Sequence, residues 1–239
     1  MKVIKLEKVD STNNYAKSNI DNFADKTIIY ALSQTSGRGR LTRSWVDLGD
    51  GNLFMSIVLK PSDNYKDLYS NVTQYLSVSL CKILESYGLK PEIKWPNDVL
   101  VDGKKIAGIL SEAVISGSTL KGIIVGIGVN LNANSEDVDA IPNKIATALN
   151  LELGKEVDLD VFMSELTEEF FNDYDAFLEN GFEFIKRDYI CRNCFLNKEL
   201  NVQVFDNVET GLAKSINDRG ELVLLKEDKE LVLTIGDIL

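Results

Sequence analysis

KWPNDVLVDGKKIAGIL, residues 94–110, decides the architecture. The strand Glu92–Trp95 is stopped by Pro96, which has no N–H to continue a ladder. An apolar run resumes at Val99, Leu100 and Val101, and Asp102-Gly103 is a two-residue hairpin turn. Residues 104–115 return as the second strand. After the turn SGST, residues 120–132 (LKGIIVGIGVNLN) pair next. Working outward, KVIKLEKV (2–9) alternates and reads as a strand, TIIYAL (27–32) is a β-branched, apolar buried strand, and NLFMSIVLK (52–60) is the next strand. Asp10, Ser11 and Thr12 are N-cap candidates for a helix reaching about Ile20. Leu68, Val72, Leu76, Leu80 and Leu84 fall at helical spacing, and Gly88 closes that helix. Downstream, 158–178 is read as one amphipathic helix, followed by a shorter one to about Tyr189. The tail changes character: ELNVQVF, TGLAKSIN, GELVLLK and ELVLTIG are short strands at regular spacing, which suggests a small β-barrel. The expected organisation is an α+β protein, with one mixed sheet flanked by helices over residues 1–191 and a small β module over 192–239.

Composition narrows the function. The net charge is −11, so a general nucleic-acid binder, with its basic footprint, is disfavoured. The chain has no run of 18 apolar residues and its first ten residues are no signal peptide, which places it in the cytoplasm as an expectation. Histidine is absent. Ser-His-Asp and Cys-His catalysis are thereby removed, as are His-rich metal sites, and no resident metal is expected. Cys81, Cys191 and Cys194 supply too few ligands for zinc, and are read as incidental thiols in preference to a redox pair.

Against this acidic background, SQTSGRGRLTRSW (33–45) gathers half of the arginines: Arg38, Arg40 and Arg43. The loop is either a solvated surface loop or an anion cradle, in which glycines admit close approach and guanidinium forks hold phosphate or carboxylate. It is not a P-loop, and no dinucleotide fingerprint follows it. Asn97 and Asp98 leave a strand end, where they either face a ligand or simply make a turn. Lys105 sits in an apolar strand, and either snorkels outward or points into a cleft. Gly108 and the glycines of GIGVNLN (126–132) suggest close approach to backbone, and Asn130 reads a nucleotide or caps a turn.

DSTN (10–13), QTSGRGRLTRSW (34–45), KWPNDV (94–99), KKIAGIL (104–110) and GIGVNLN (126–132) together resemble the biotin protein ligase family, in order and spacing, over nearly the whole chain. The family often has GRGRRGR where this chain has Leu41-Thr42 in the middle. The resemblance implies a class II synthetase-like catalytic domain and an SH3-like C-terminal barrel. It implies the monofunctional class, without a winged-helix DNA-binding module. It also implies a two-step reaction: biotin and MgATP give biotinyl-AMP and pyrophosphate, then biotin passes to a lysine of a biotin carboxyl carrier domain such as that of acetyl-CoA carboxylase. Residue by residue, it implies a biotin pocket from Ser11, Thr12, Asn13, Gln34, Gly37, Arg38, Gly39, Arg40, Lys105 and Gly108. For ATP it implies Arg40, Arg43, Trp45, Lys94, Asn97 and Asn130. Lys105 and Arg40 are then catalytic, with Asp98 as the hypothetical base for the incoming amine. An exposed strand edge would allow a homodimer. Lipoate or octanoate attachment, and a non-catalytic biotin or adenylate binder, are the alternatives.

Overall fold

A computed structural model of the chain describes residues 2–40, 43–60, 69–141 and 145–239. Strands β1 (Val3–Leu6), β2 (Thr27–Ala31), β3 (Leu53–Leu59), β4 (Pro91–Lys94), β5 (Asp98–Val101), β6 (Lys104–Ser116) and β7 (Thr119–Val129) form one mixed sheet in the order β1-β2-β3-β7-β6-β5-β4. β1 and β2 are parallel, and the other neighbours are antiparallel. The β5–β6 hairpin turns at Asp102 and Gly103, with φ of 49° and 74°, the left-handed pair a two-residue turn of this type requires.

The strands alternate between two apolar layers. Ile28, Tyr30, Met55, Ile57, Val125 and Ile127 pack with Leu76, Leu80, Phe162 and Phe170 in one cluster. The first two of those helical residues lie on α2 (Tyr69–Ser86) and the last two on α5 (Leu159–Asn172). Ile29, Val58 and Ile124 turn the other way and meet Ala16, Ile20 and Phe23 around α1 (Thr12–Ser18). Covering both faces is what makes β2 and β3 continuous apolar runs in place of alternating ones. Leu68, the first position read for the second helix, lies outside the described residues.

The stretch read as one helix over 158–178 is two. It breaks at Asp173 (φ −113°, ψ 13°), between α5 and α6 (Tyr174–Asn180), with α7 (Phe182–Cys191) following. Asn172 and Asp173 bond to each other by their side chains at 3.0 Å. Such short polar side chains compete with the helical ladder. Two one-turn helices, α3 (Ser135–Asp139) and α4 (Leu149–Leu153), are too short to show a period.

The tail forms an antiparallel sheet of β8 (Glu199–Val204), β9 (Asn207–Ile216), β10 (Leu222–Lys226), β11 (Lys229–Leu233) and β12 (Asp237–Ile238), in the order β11-β10-β9-β8-β12, consistent with an SH3-like module. Four of these strands are visible in the sequence, and the two-residue β12 is not. The module is no loose appendage. Val202, Ala213, Leu222, Leu224 and Ile238 belong to the same apolar cluster as the larger sheet. Gln74 Nε2 and Trp95 Nε1 donate to the Gly220 carbonyl at 2.9 and 3.2 Å, and Asn71 Nδ2 donates to that of Arg219 at 3.0 Å. The three cysteines are free thiols, Cys81 buried and Cys191 exposed. No described helix is long and apolar enough to cross a membrane.

Candidate active site

The site is built on cross-strand rows. Residues directly opposite one another on neighbouring strands share a face. One row runs Lys94–Asp98–Gly108–Gly128–Phe54–Ala31 from β4 to β2. The next runs Leu110–Gly126–Ser56–Ile29. Three glycines thus leave a floor without side chains in mid-sheet, and loop residues descend onto it. A Cβ on Gly128 would stand 2.5 Å from Trp45 Cε2, and one on Gly108 would stand 2.9 Å from Trp45 Cζ3. On Gly126 it would overlap the Asn13 amide.

A bulge settles the direction of Lys105. Strict alternation from Gly108 would bring Ile106 to this face and turn Lys105 away. The β5–β6 register shifts between Val99 and Leu100, so that Leu100 opposes Lys105. Ile106 and Ala107 both enter the core, and Lys105 faces the floor. Its Nζ pairs with Asp98 Oδ1 at 2.6 Å and lies 5.4 Å from the centre of the Trp45 ring.

Above the floor is a cavity of about 760 Å³. Ser11, Thr12, Asn13, Gln34, Arg38, Gly39, Arg40, Arg43, Trp45, Lys94, Asn97, Asp98, Lys105 and Gly108 all line it. At one end the wall is neutral and polar. Ser11 ends an extended segment and starts α1, its carbonyl accepting from Tyr15 N. Thr12 donates from N and Oγ1 to Gln34 Oε1 at 2.8 and 3.2 Å. Apart from this wall, Asn97 stands beside Asp98 at the start of β5 and donates to the Ile109 carbonyl at 2.7 Å.

At the other end the wall is cationic. The arginine loop is a narrow ribbon: Trp45 N donates to Gly37 O and Gly39 N to Arg43 O, both at 2.9 Å. Gly37 lies behind the lining, where a Cβ would be 2.6 Å from the Trp45 carbonyl oxygen. Leu41 and Thr42 lie outside the described residues. The three arginines do not share one anion position as a single cradle would require. Arg38 turns back toward α1, where its Nη1 binds Glu112 Oε1 at 2.9 Å and Asn14 Oδ1 at 3.1 Å. Arg40 Nη1 donates to Gly236 O at 3.0 Å and lies 3.3 Å from Asp237 Oδ1, while Arg43 Nη2 is 3.5 Å from Asp237 Oδ2. Burial pulls the Arg40 guanidinium below the ordinary arginine value, and the charges of Asp237 and Asp98 oppose that shift.

Asn130 is set apart from the main cavity. Its amide donates to the Thr147 carbonyl at 2.9 Å, and it lines a smaller adjoining recess with Trp45, Lys105, Ile141 and Ala146. Trp45 and Lys105 line both spaces. Among the described residues, no group of three or more His, Cys, Asp or Glu side chains is gathered to hold a metal ion.

Sequence reasoning missed three carboxylates. Asp237, only 5% exposed, comes from the last strand pair. Asp47 fastens the base of the loop, accepting from Ser33 Oγ and Gln34 N at 2.8 and 2.9 Å. Glu112 gathers Lys17, Arg38 and Asn13. Their partners are distant in sequence, so no local spacing marks them.

The same elements occur in known proteins. Residues 6–130 match the model of the Biotin/lipoate A/B protein ligase family. The biotin–[acetyl-CoA-carboxylase] ligase of Paracoccus denitrificans is 31% identical over 228 residues, covering 92% of each chain. A bifunctional ligase/repressor of Bacillus spizizenii is 30% identical over 224 residues, covering 93% of this chain and 69% of that protein. The biotin protein ligase of Aquifex aeolicus, solved with biotin and ATP, superposes with a TM-score of 0.84 at 28% identity, covering 100% of this chain and 97% of that one. Bulge, glycine floor and arginine loop all fall within or beside the matched segment, and the chain belongs to the biotin/lipoate A/B protein ligase family.

Proposed function

We propose that the chain is an ATP-dependent biotin protein ligase. It joins the biotin carboxylate to the α-phosphate of ATP, releases pyrophosphate, and then transfers biotin to a lysine of a biotin carboxyl carrier domain. The observation that carries this reading is one cavity with two unlike ends. Neutral hydrogen-bonding groups on α1 and Gln34 suit a ureido ring, and Arg40, Arg43, Lys94 and Lys105 suit a carboxylate meeting a polyphosphate.

The chemistry needs no histidine. A carboxylic acid of pKa about 4 is ionised at neutral pH and needs no base to attack phosphorus. The barrier is repulsion between two anions, which fixed cations in a site closed to water reduce. Lys105 is assigned to the reacting carboxylate, and Arg40 and Arg43 to the phosphates. Trp45, Asn97 and Asn130 are assigned to the nucleotide, with Trp45 to stack on the base, and Lys94 to its phosphates. Mg²⁺ enters with ATP as part of the substrate, held mainly by phosphate oxygens and water. In transfer, the acceptor amine, with a free pKa of about 10.4, must lose a proton. Asp98 is the proposed acceptor, once Lys105 turns from it toward the acyl phosphate. Gly39, which lines the cavity, is assigned to the adenylate, and Gly37 lets the loop pack closely on Trp45.

The substrate assignment is tested by pyrophosphate release with biotin, lipoate and octanoate in turn, each with ATP and Mg²⁺. Release is expected with biotin. Release with lipoate and none with biotin overturns the assignment.

A further inference from the structure

Glu112 stands on β6 opposite Ile124, one step along the face from Leu110 and behind the cavity wall. Its Oε1 accepts from Lys17 Nζ at 2.8 Å and Arg38 Nη1 at 2.9 Å, and its Oε2 accepts from Asn13 Nδ2 at 3.0 Å. Burial pushes this carboxyl up, but the bonds from Lys17 and Asn13 and the charges of Lys17 and Arg38 outweigh it, so it lies below the usual range. A carboxylate only accepts, so Asn13 must present its NH₂ to Glu112. That NH₂ also donates to the Leu110 carbonyl at 3.2 Å, which leaves Asn13 Oδ1 to accept from Ser56 Oγ at 2.7 Å. Ser56 Oγ in turn lies 2.8 Å from Thr12 Oγ1, and Thr12 binds Gln34. One charge behind the wall therefore sets the polarity of Asn13 and Ser56; Ser56 gives its single proton to Asn13, and Gln34 Oε1 is an acceptor because Thr12 N donates to it. Asn13, Thr12 and Gln34 line the cavity.

We propose that Glu112 is a positioning residue for the acid substrate. It fixes which atom of Asn13 donates and which accepts, and it holds Arg38 at the rim. The proposal rests on the reading that this end of the cavity receives biotin.

Glutamine at this position is a close isostere and a sharp test. Its oxygen would stay with the two cations, so its NH₂ would meet the Asn13 NH₂. Relief requires Asn13 to turn over, which breaks its bond to Leu110 and reverses the chain toward Ser56. The experiment measures KM for biotin, KM for ATP and kcat of the full chain, with melting curves, for parent, Glu112→Gln and Glu112→Asp. For Glu112→Gln, KM for biotin should rise about tenfold or more, the scale of a lost charged hydrogen bond, with kcat and KM for ATP within about threefold. Glu112→Asp keeps the charge but not the reach to both partners, so an intermediate rise is expected; if Glu112→Gln does not fold, this variant decides. Folded variants whose KM for biotin stays within about twofold of the parent overturn the proposal, as does a fall in kcat alone, which a purely structural role would give. A parent that turns over lipoate and not biotin overturns the functional reading instead, and the same comparison with lipoate then decides the role of Glu112.

Discussion

Lys105→Ala should slow formation of the biotinyl adenylate by about 10²–10³-fold, the scale for removing one fixed group that stabilises transition-state charge. The ammonium sits over the glycine floor, 2.6 Å from Asp98 and beside the Trp45 ring. Removing it does more than subtract a cation. It leaves Asp98 without that cation in a partly buried position, adding a negative charge where two anions must meet. Lys105→Ala with Asp98→Asn should therefore recover part of the lost rate, by about tenfold if the added repulsion is near 1.4 kcal/mol. Single-turnover pyrophosphate release measures both variants. A single variant within about fivefold of the parent would mean that Lys105 does not act on the reacting carboxylate.

Arg40→Gly should leak the intermediate. A mixed anhydride reacts with water and with any amine, so it must be held and covered. Arg40 belongs to the arginine loop, which we propose covers the adenylate, and it is fastened to the C-terminal module through Gly236 and Asp237. On that proposal its loss removes a charge-assisted contact to the adenylate, about 1.5–3 kcal/mol, or roughly ten- to a hundredfold in retention. It also removes one of the two arginine links between loop and module, leaving Asp237 to Arg43. Arg43 and Lys105 remain to screen the phosphates, so adenylate formation should continue. Free biotinyl-AMP in the filtrate, or biotin on bystander lysines, is the readout. A variant that retains the adenylate as tightly as the parent would contradict the cover role.

Local pattern was readable to the extent that it is local. The β5–β6 hairpin follows from Pro96 and Asp102-Gly103, and the glycine floor follows from Gly108, Gly126 and Gly128 lying within β runs. The direction of Lys105 was not readable, because it depends on a bulge that moves one residue past its partner. The Asn172-Asp173 break was hidden by an apolar stripe that continues across it. Asp237 lies on a strand too short to show alternation and 197 positions beyond Arg40, so only the folded chain joins them. Glu112 looks like an ordinary exposed strand residue until α1 and the arginine loop are brought against it.

The central claim, that this cavity activates an acid by adenylation, is tested most directly by the fate of the ATP phosphates. The protein is incubated with biotin and ATP labelled at either the α- or the γ-phosphate, passed through a desalting column, and then given carrier domain. The account predicts that the α-label stays with the protein only when biotin is present, leaves as AMP when the carrier is biotinylated, and that the γ-label departs as pyrophosphate. Formation of ADP, with γ-label as inorganic phosphate or an acyl phosphate, would contradict it.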